Sequence, residues 1–176
     1  MSPLNMDSKF KCSICGEIHT EYPALTFAYP NSYHWLSEEQ QQAAVFIDSD
    51  FCTIEYPDHT DHFIRVLLKQ KIAKTALYLE YGVWVSLSEE SYEDYLFNFG
   101  NENHETLYFG WLSNALPEYQ FEKGISMDVK TKKGNLRPEI YPHLEIDHPF
   151  VHDFYHGITK EEAEKRIHHM SAKKTQ

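Results

Sequence analysis

Ala76-Leu77-Tyr78-Leu79-Glu80-Tyr81-Gly82-Val83-Trp84-Val85-Ser86-Leu87 is the longest sustained β-type run in this chain. Side chains of a strand alternate between two faces. Leu79, Tyr81, Val83, Val85 and Leu87 share the uniformly apolar face, and Tyr78, Glu80, Gly82, Trp84 and Ser86 share the other. The run predicts a central strand whose apolar face looks into the core. An aspartate at Val83 or Val85 would place an unpaired charge there and unfold the domain. Ser86 or Ser88 caps a following helix over 89–99, which brings Tyr92, Tyr95, Leu96 and Phe99 to helical spacing. Tyr92, Leu96 and Phe99 are expected to cover the strand.

The rest of the chain reads outward from that strand. His62–Leu68 is a second long β run, separated from the first by a lysine-rich patch at 69–74. Phe51–Glu55, Thr106–Leu112 and Ile125–Lys132 read as further strands, with a turn at Pro57-Asp58. Ser37-Glu38-Glu39-Gln40 is a capping box that opens a short helix over 38–46, and Thr159-Lys160-Glu161-Glu162 opens a last one reaching about His169. The segment 134–150, with Pro138, Pro142 and Pro149, is expected to be irregular. Residues 1–9 read as a disordered lead-in and 171–176 as a frayed tail. The pattern is that of a single α+β domain over 10–170, with an antiparallel or mixed sheet, flanking helices and an N-terminal zinc-knuckle-like CxxC segment.

Composition narrows the function classes. The 16 Lys plus Arg against 27 Asp plus Glu give a net charge of −11, and the only arginines are Arg65, Arg137 and Arg166. A nucleic-acid binder shows a basic stripe, so no nucleic-acid partner is expected. The acidity reads first as a solubility device. Three cysteines, an odd number, suit a reducing compartment. No apolar stretch approaches the ~18 residues of a membrane span, and Met1–Phe10 has no signal-peptide core. The expectation is a cytoplasmic, soluble protein without a membrane partner. Twelve Tyr, eleven Phe and three Trp predict an aromatic core and rim.

Cys12-Ser13-Ile14-Cys15-Gly16-Glu17-Ile18-His19 carries the clearest chemistry. Two thiolates three positions apart can chelate one ion from a tight turn, and the glycine relieves crowding where the backbone turns toward the sulfurs. Cys52 is the only other thiol, so Cys12, Cys15, Cys52 and His19 make a four-ligand set for a structural Zn²⁺. Asp48, Asp50 or His148 are alternatives to His19. A redox CxxC would place its first cysteine at a helix N-terminus, and Gly-Glu-Ile-His-Thr-Glu-Tyr-Pro is poor helix. A metal-free remnant is the third reading.

The other constellations are less specific. His59 and His62 are three apart in a turn-to-strand context. His152 and His156 are four apart and share a face if 150–156 is helical, with Asp147, His148 and Asp153 close in sequence. No HExxH motif, phosphate-binding glycine loop or nucleophile elbow is present. Nothing in the sequence selects one Ser–His–Asp combination. Arg65 and Arg137 read as ion pairs or carbonyl clamps before they read as anion ligands. Trp84 and Trp111 read as core before they read as pocket walls.

Phe10-x-Cys12-x-x-Cys15-Gly16-x-x-His19, an acidic residue before Cys52, Phe63-Ile64-Arg65 and Tyr81–Ser88 resemble the uncharacterised bacterial family termed domain of unknown function 2199. Gly110-Trp111-Leu112, Leu116-Pro117-x-Tyr119, Arg137-Pro138, His148-Pro149-Phe150 and Gly157-Ile158-Thr159 also fit it. The resemblance covers about residues 10–170. It departs at Phe150, where a leucine is expected, and at a longer acidic insert near 57–62. It implies a single bacterial domain and names no activity. The leading functional reading is a small zinc-stabilised module that binds another protein. The alternatives are an enzyme with a pocket around Arg65, Trp84, Arg137 and His148, and an acidic immunity- or inhibitor-type protein.

Overall fold

The computed structural model describes residues 10–11, 16–19 and 21–173. The chain opens with a small hairpin of β1 (Phe10–Lys11) and β2 (Ile18–His19), paired Phe10↔His19 and Lys11↔Ile18. β3 (Leu25–Thr26), a 3₁₀ turn over Asn31–Trp35, α1 (Glu38–Ala43), β4 (Val45–Ile47) and β5 (Phe51–Glu55) follow. The capping box is complete: Gln40 N–H donates to Ser37 Oγ at 3.2 Å, and Ser37 N–H to Gln40 Oε1 at 2.9 Å. The helix it starts stops at Ala43, short of the expected 46, because Val45, Phe46 and Ile47 pair with β5 instead.

β6 (Thr60–Lys71) and β7 (Tyr78–Leu87) form one long antiparallel hairpin, paired from His62↔Leu87 to Lys71↔Tyr78. The strand therefore runs through part of the lysine patch. Lys69 and Lys71 point outward while Gln70 is buried and donates to the Asp153 carbonyl at 2.6 Å. After α2 (Glu89–Phe97) come β8 (Leu107–Leu112), β9 (Ser126–Lys132) and β10 (Leu136–Pro142). Each of β6 to β10 is antiparallel to the next, and β10 closes on β6 at Glu139↔Leu67. The first and last strands of an odd-numbered meander run the same way, so this closing pair is parallel. The result is a five-stranded barrel. β5 and β4 extend it from the free first half of β6, and β3 adds in parallel to β7 at Leu25↔Tyr81.

β10 corrects the reading of 134–150 as irregular. Its prolines sit where a strand tolerates them: Pro138 lies within the register shift between Leu136 and Glu139, and Pro142 at the strand end. α3 (Pro149–His156) and α4 (Lys160–Lys173) complete the α+β domain. The barrel interior holds Val66, Leu68, Leu79, Tyr81, Val83, Val85, Met127, Val129 and Ile140, each no more than 1% exposed. Phe150, Phe154, Ala163 and Ile167 of the last two helices pack onto the same core.

One expectation about cover is corrected. Ser88 caps α2, which buries Tyr92 and Tyr95, whereas Leu96 and Phe99 stand half-exposed. Trp84, read from the sequence as core, is fully buried, on the face of β7 opposite the uniformly apolar one. It packs with Cys52, Ile54 and Phe63 in a second core, rimmed by Leu36, Val45, Ile47 and Tyr56. Among the described residues no helix is long and apolar enough to cross a membrane.

Candidate functional site

Of the four residues of the zinc set, Cys52 is the one whose side chain is described. Cys12 and Cys15 lie outside the described residues, and of His19 only the backbone is described. Gly16 has a φ of +73°, a left-handed conformation open to glycine, in the loop joining β1 and β2. A turn of that kind after Cys15 fits a metal-binding knuckle. Cys52 does not fit so well. It is a free thiol, fully buried among Ile54, Phe63 and Trp84. Burial, reinforced by the Asp48 carboxylate, pushes that thiol up to about 12. A zinc ligand is a thiolate, and this environment favours the neutral thiol. Among the described residues no three His, Cys, Asp or Glu side chains are grouped to hold a metal.

Arg65, Trp84 and Arg137 come together, but on a structural turn. Arg65 lies over the Trp84 ring at 4.6 Å and donates from Nε to the Ser49 carbonyl at 3.0 Å. Arg137 donates from Nε to Asp50 Oδ1 at 2.9 Å. The two guanidinium groups thus clamp the Ser49-Asp50 turn between β4 and β5. His148 belongs elsewhere. It caps α3, accepting from Phe150 N–H at Nδ1, donates from Nε2 to the Gln120 carbonyl at 2.8 Å, and stacks on Phe121.

The outer face of β8–β10 gathers the side chains with free chemistry. In β8 the inward Tyr108 and Gly110 are buried, while Leu107, Phe109 and Trp111 are 60%, 51% and 46% exposed. The Phe109 and Trp111 rings meet edge to face at 5.4 Å. Gly124 makes room for Trp111: a Cβ there would lie 3.0 Å from the indole. In β9, Met127, Val129 and Thr131 turn inward and Ser126, Asp128 and Lys130 turn out. Register sets Ser126 beside Trp111 and Asp128 beside Phe109.

His143, one residue past β10, bridges two of these outward groups. Ser126 Oγ is 2.9 Å from Nδ1 and Asp128 Oδ1 is 2.9 Å from Nε2. An ionised carboxylate only accepts, which puts the ring proton on Nε2 and leaves Nδ1 to accept from the Ser126 hydroxyl. Phe109 covers the imidazole at 5.6 Å. An open cleft of about 810 Å³ adjoins the row, bordered by Trp111, Ser126, Lys123, Tyr119 and His148. Of the side chains singled out in the sequence, Trp111 and His148 reach this cleft. Ser126, Asp128 and His143 were not foreseen. The alternation of β9 is legible in the sequence, but His143 stands beyond a strand, β10, whose prolines hide it there.

A family model described as an uncharacterized protein conserved in bacteria, domain of unknown function 2199, matches residues 11–158. This chain belongs to that family. The family match runs from Lys11 in β1 through the whole barrel and α3. No curated protein and no solved structure matches the chain.

Proposed function

We propose that this family member is a binding module that receives another protein on the outer face of β8–β10. The observation carrying the reading is the ladder Leu107, Phe109 and Trp111, three large apolar side chains held at alternate positions of one strand and turned to solvent. Scattered exposed apolar residues are ordinary, whereas a contiguous patch rimmed by polar groups marks an interaction surface. Asp128, Lys130 and His143 supply that rim, and exposed aromatic side chains are the usual anchors of protein interfaces.

The test is a quantitative capture from the native host with wild-type protein and the Phe109→Ala/Trp111→Ala double variant. Both positions are half-exposed, so the variant keeps its fold. A partner retained by wild type, lost by the variant and then bound by purified wild type at least about tenfold more tightly is the expected result. Identical retention by both proteins overturns the reading.

A structural zinc ion on the N-terminal hairpin is the second part of the proposal. The CxxCG spacing, the β1–β2 pairing and the left-handed Gly16 support it. Cys12, Cys15 and His19 are the ligands proposed, and Cys52 is the least fitting of the original four. Untagged protein purified without chelator should carry one zinc per chain. Cys12→Ser should lose it, and Cys52→Ala should keep it while losing stability. Zinc loss in Cys52→Ala would restore Cys52 to the ligand set.

One observation favours a second reading, acyl transfer. Ser126, the first member of a Ser126–His143–Asp128 chain, lines a roomy cleft. In that chemistry Ser126 Oγ attacks an ester carbonyl, its proton passes to His143 Nδ1, and the proton then goes to the departing alkoxide. Water hydrolyses the acyl-serine by the same route. Labelling of Ser126 by a fluorophosphonate, abolished in Ser126→Ala, would put this reading first. Absence of labelling in the folded wild type would remove it.

A further inference from the structure

The C-terminal end of α2 carries an apolar surface that the barrel does not cover. Phe97, the last residue of the helix, is 89% exposed, the most of any large apolar side chain among the described residues. Leu96 beside it and Phe99 just beyond the helix are half-exposed. Tyr92 and Tyr95 take the buried side of the helix, and Phe99 meets the Phe51 ring at 5.0 Å. The segment after the helix is held in place. Asn98 Nδ2 donates to the Asp94 carbonyl at 2.9 Å, Asn101 N–H to the Asn98 carbonyl at 2.9 Å, and Gly134 N–H to the Glu102 carbonyl at 3.0 Å. The three apolar side chains therefore stand on an ordered support, which lowers the ordering cost of binding.

The charge around this surface selects what would cover it. Residues one or two turns apart on a helix share a face. Glu93 stands three before Leu96 and four before Phe97, while Glu89 and Glu90 stand seven before Leu96 and Phe97 respectively. All three carboxylates are exposed, and among the described residues none makes an ion pair or a side-chain hydrogen bond. Glu89 and Glu90 also suit the positive end of the helix dipole, but Glu93 has no such role. The last turn of α2 carries no basic residue, so the partial negative charge at its C-terminus is uncompensated as well. From Thr75 to Glu122 the chain has no Lys or Arg at all. The β8–β10 face mixes both signs through Asp128 and Lys130, whereas this surface has one sign.

We propose that the end of α2 is a second docking surface, for a basic protein segment that sets Lys or Arg side chains around an apolar one. The apolar side chain of the partner seats against Leu96, Phe97 and Phe99, and its cations meet Glu89, Glu90, Glu93 and the C-terminal end of the helix. Complementary charge of this kind steers encounter and rejects acidic partners by like-charge juxtaposition. The surface shares no residue with the β8–β10 face, so the two readings stand or fall separately.

The probe is a synthetic amphipathic helical peptide made only of Lys and Leu, titrated into isotope-labelled full-length protein at low and high salt. Amide shifts should concentrate on 89–102, and affinity should fall as salt rises. Phe97→Ser should weaken binding about tenfold, and Glu90→Gln/Glu93→Gln should weaken it by a similar factor. Glu38→Gln/Glu39→Gln on α1 removes the same charge elsewhere and should leave affinity unchanged. All these positions are exposed, so the variants fold. Phe109→Ala/Trp111→Ala should bind the peptide as wild type does. Equal weakening by the two glutamine pairs, wild-type affinity in Phe97→Ser, no binding at low salt, or shifts centred on β8–β10 overturns the proposal.

Discussion

Glu139 shows how a single side chain comes to depend on the closed barrel. Its carboxylate is nearly buried and takes Lys69 Nζ at 2.9 Å, Lys132 Nζ at 2.5 Å and Tyr141 Oη at 2.8 Å. Burial pushes the carboxyl up, and the hydrogen bonds from Lys132, Lys69 and Tyr141 more than reverse that, holding it at about 2 against the usual 4.5. A depressed carboxyl contributes stability that is present above its unfolded value and lost as pH falls toward the folded one. Wild type should therefore lose stability between about pH 4.5 and 2 more steeply than Glu139→Gln. The two should differ at pH 7 and converge near pH 2. Urea midpoints measured across that range check this, and parallel pH curves would contradict it. The cluster was not legible in the sequence. Lys69 and Lys132 lie on separate strands, and Glu139 stands on the one strand that its prolines disguised.

Among the elements, α4 is tied to the barrel by charge as well as by Ala163 and Ile167. Arg166 is 2% exposed. It donates from Nη2 to Tyr119 Oη at 2.7 Å and from Nε to Glu162 Oε1 at 3.0 Å, with Tyr81 Oη at 3.4 Å from Nη1. Burial opposes its charge, and the surrounding Tyr81 and Tyr119 oxygens outweigh that, raising it further above its already high range. Removing one member of a buried, paired set is strongly destabilising. Arg166→Met should lower unfolding stability by about 3 kcal/mol, and Arg166→Lys should not restore it, because one ammonium cannot reach three separate acceptors. Hydrogen exchange should show faster opening of Lys160–Lys173 than of the barrel strands. Unchanged urea denaturation of Arg166→Met would show that the apolar face alone docks the helix. The helix itself was legible, since Thr159 Oγ1 accepts from Glu162 N–H as its cap. Glu162 turns its side chain to Arg166 instead of back to the cap, so the reciprocal half of the predicted box is replaced by a tertiary contact.

At the scale of the whole molecule, periodicity and capping by themselves determined most elements. The alternation of Leu79 to Leu87 identified the central strand and its core face, and Ser37, the Ser86/Ser88 pair and Thr159 marked three helix starts. These are local signals: each depends on backbone groups and faces a few residues apart. Thiol spacing likewise marked the hairpin as the metal candidate, and the chain's motifs placed it in its family. What only the tertiary structure decided is where segments distant in sequence meet. Closure of β10 on β6 assembles the Glu139 cluster, and a second core encloses Trp84 and Cys52 on the side of β7 away from its uniformly apolar face. Pairing of β8 with β9, and the turn after β10, bring Ser126, Asp128 and His143 beside Phe109 and Trp111. Such neighbours follow from strand register, twist and closure, which are properties of the paired strands together. A single strand's alternation records which side chains share a face, and the fold decides what covers that face and what is left open to a partner.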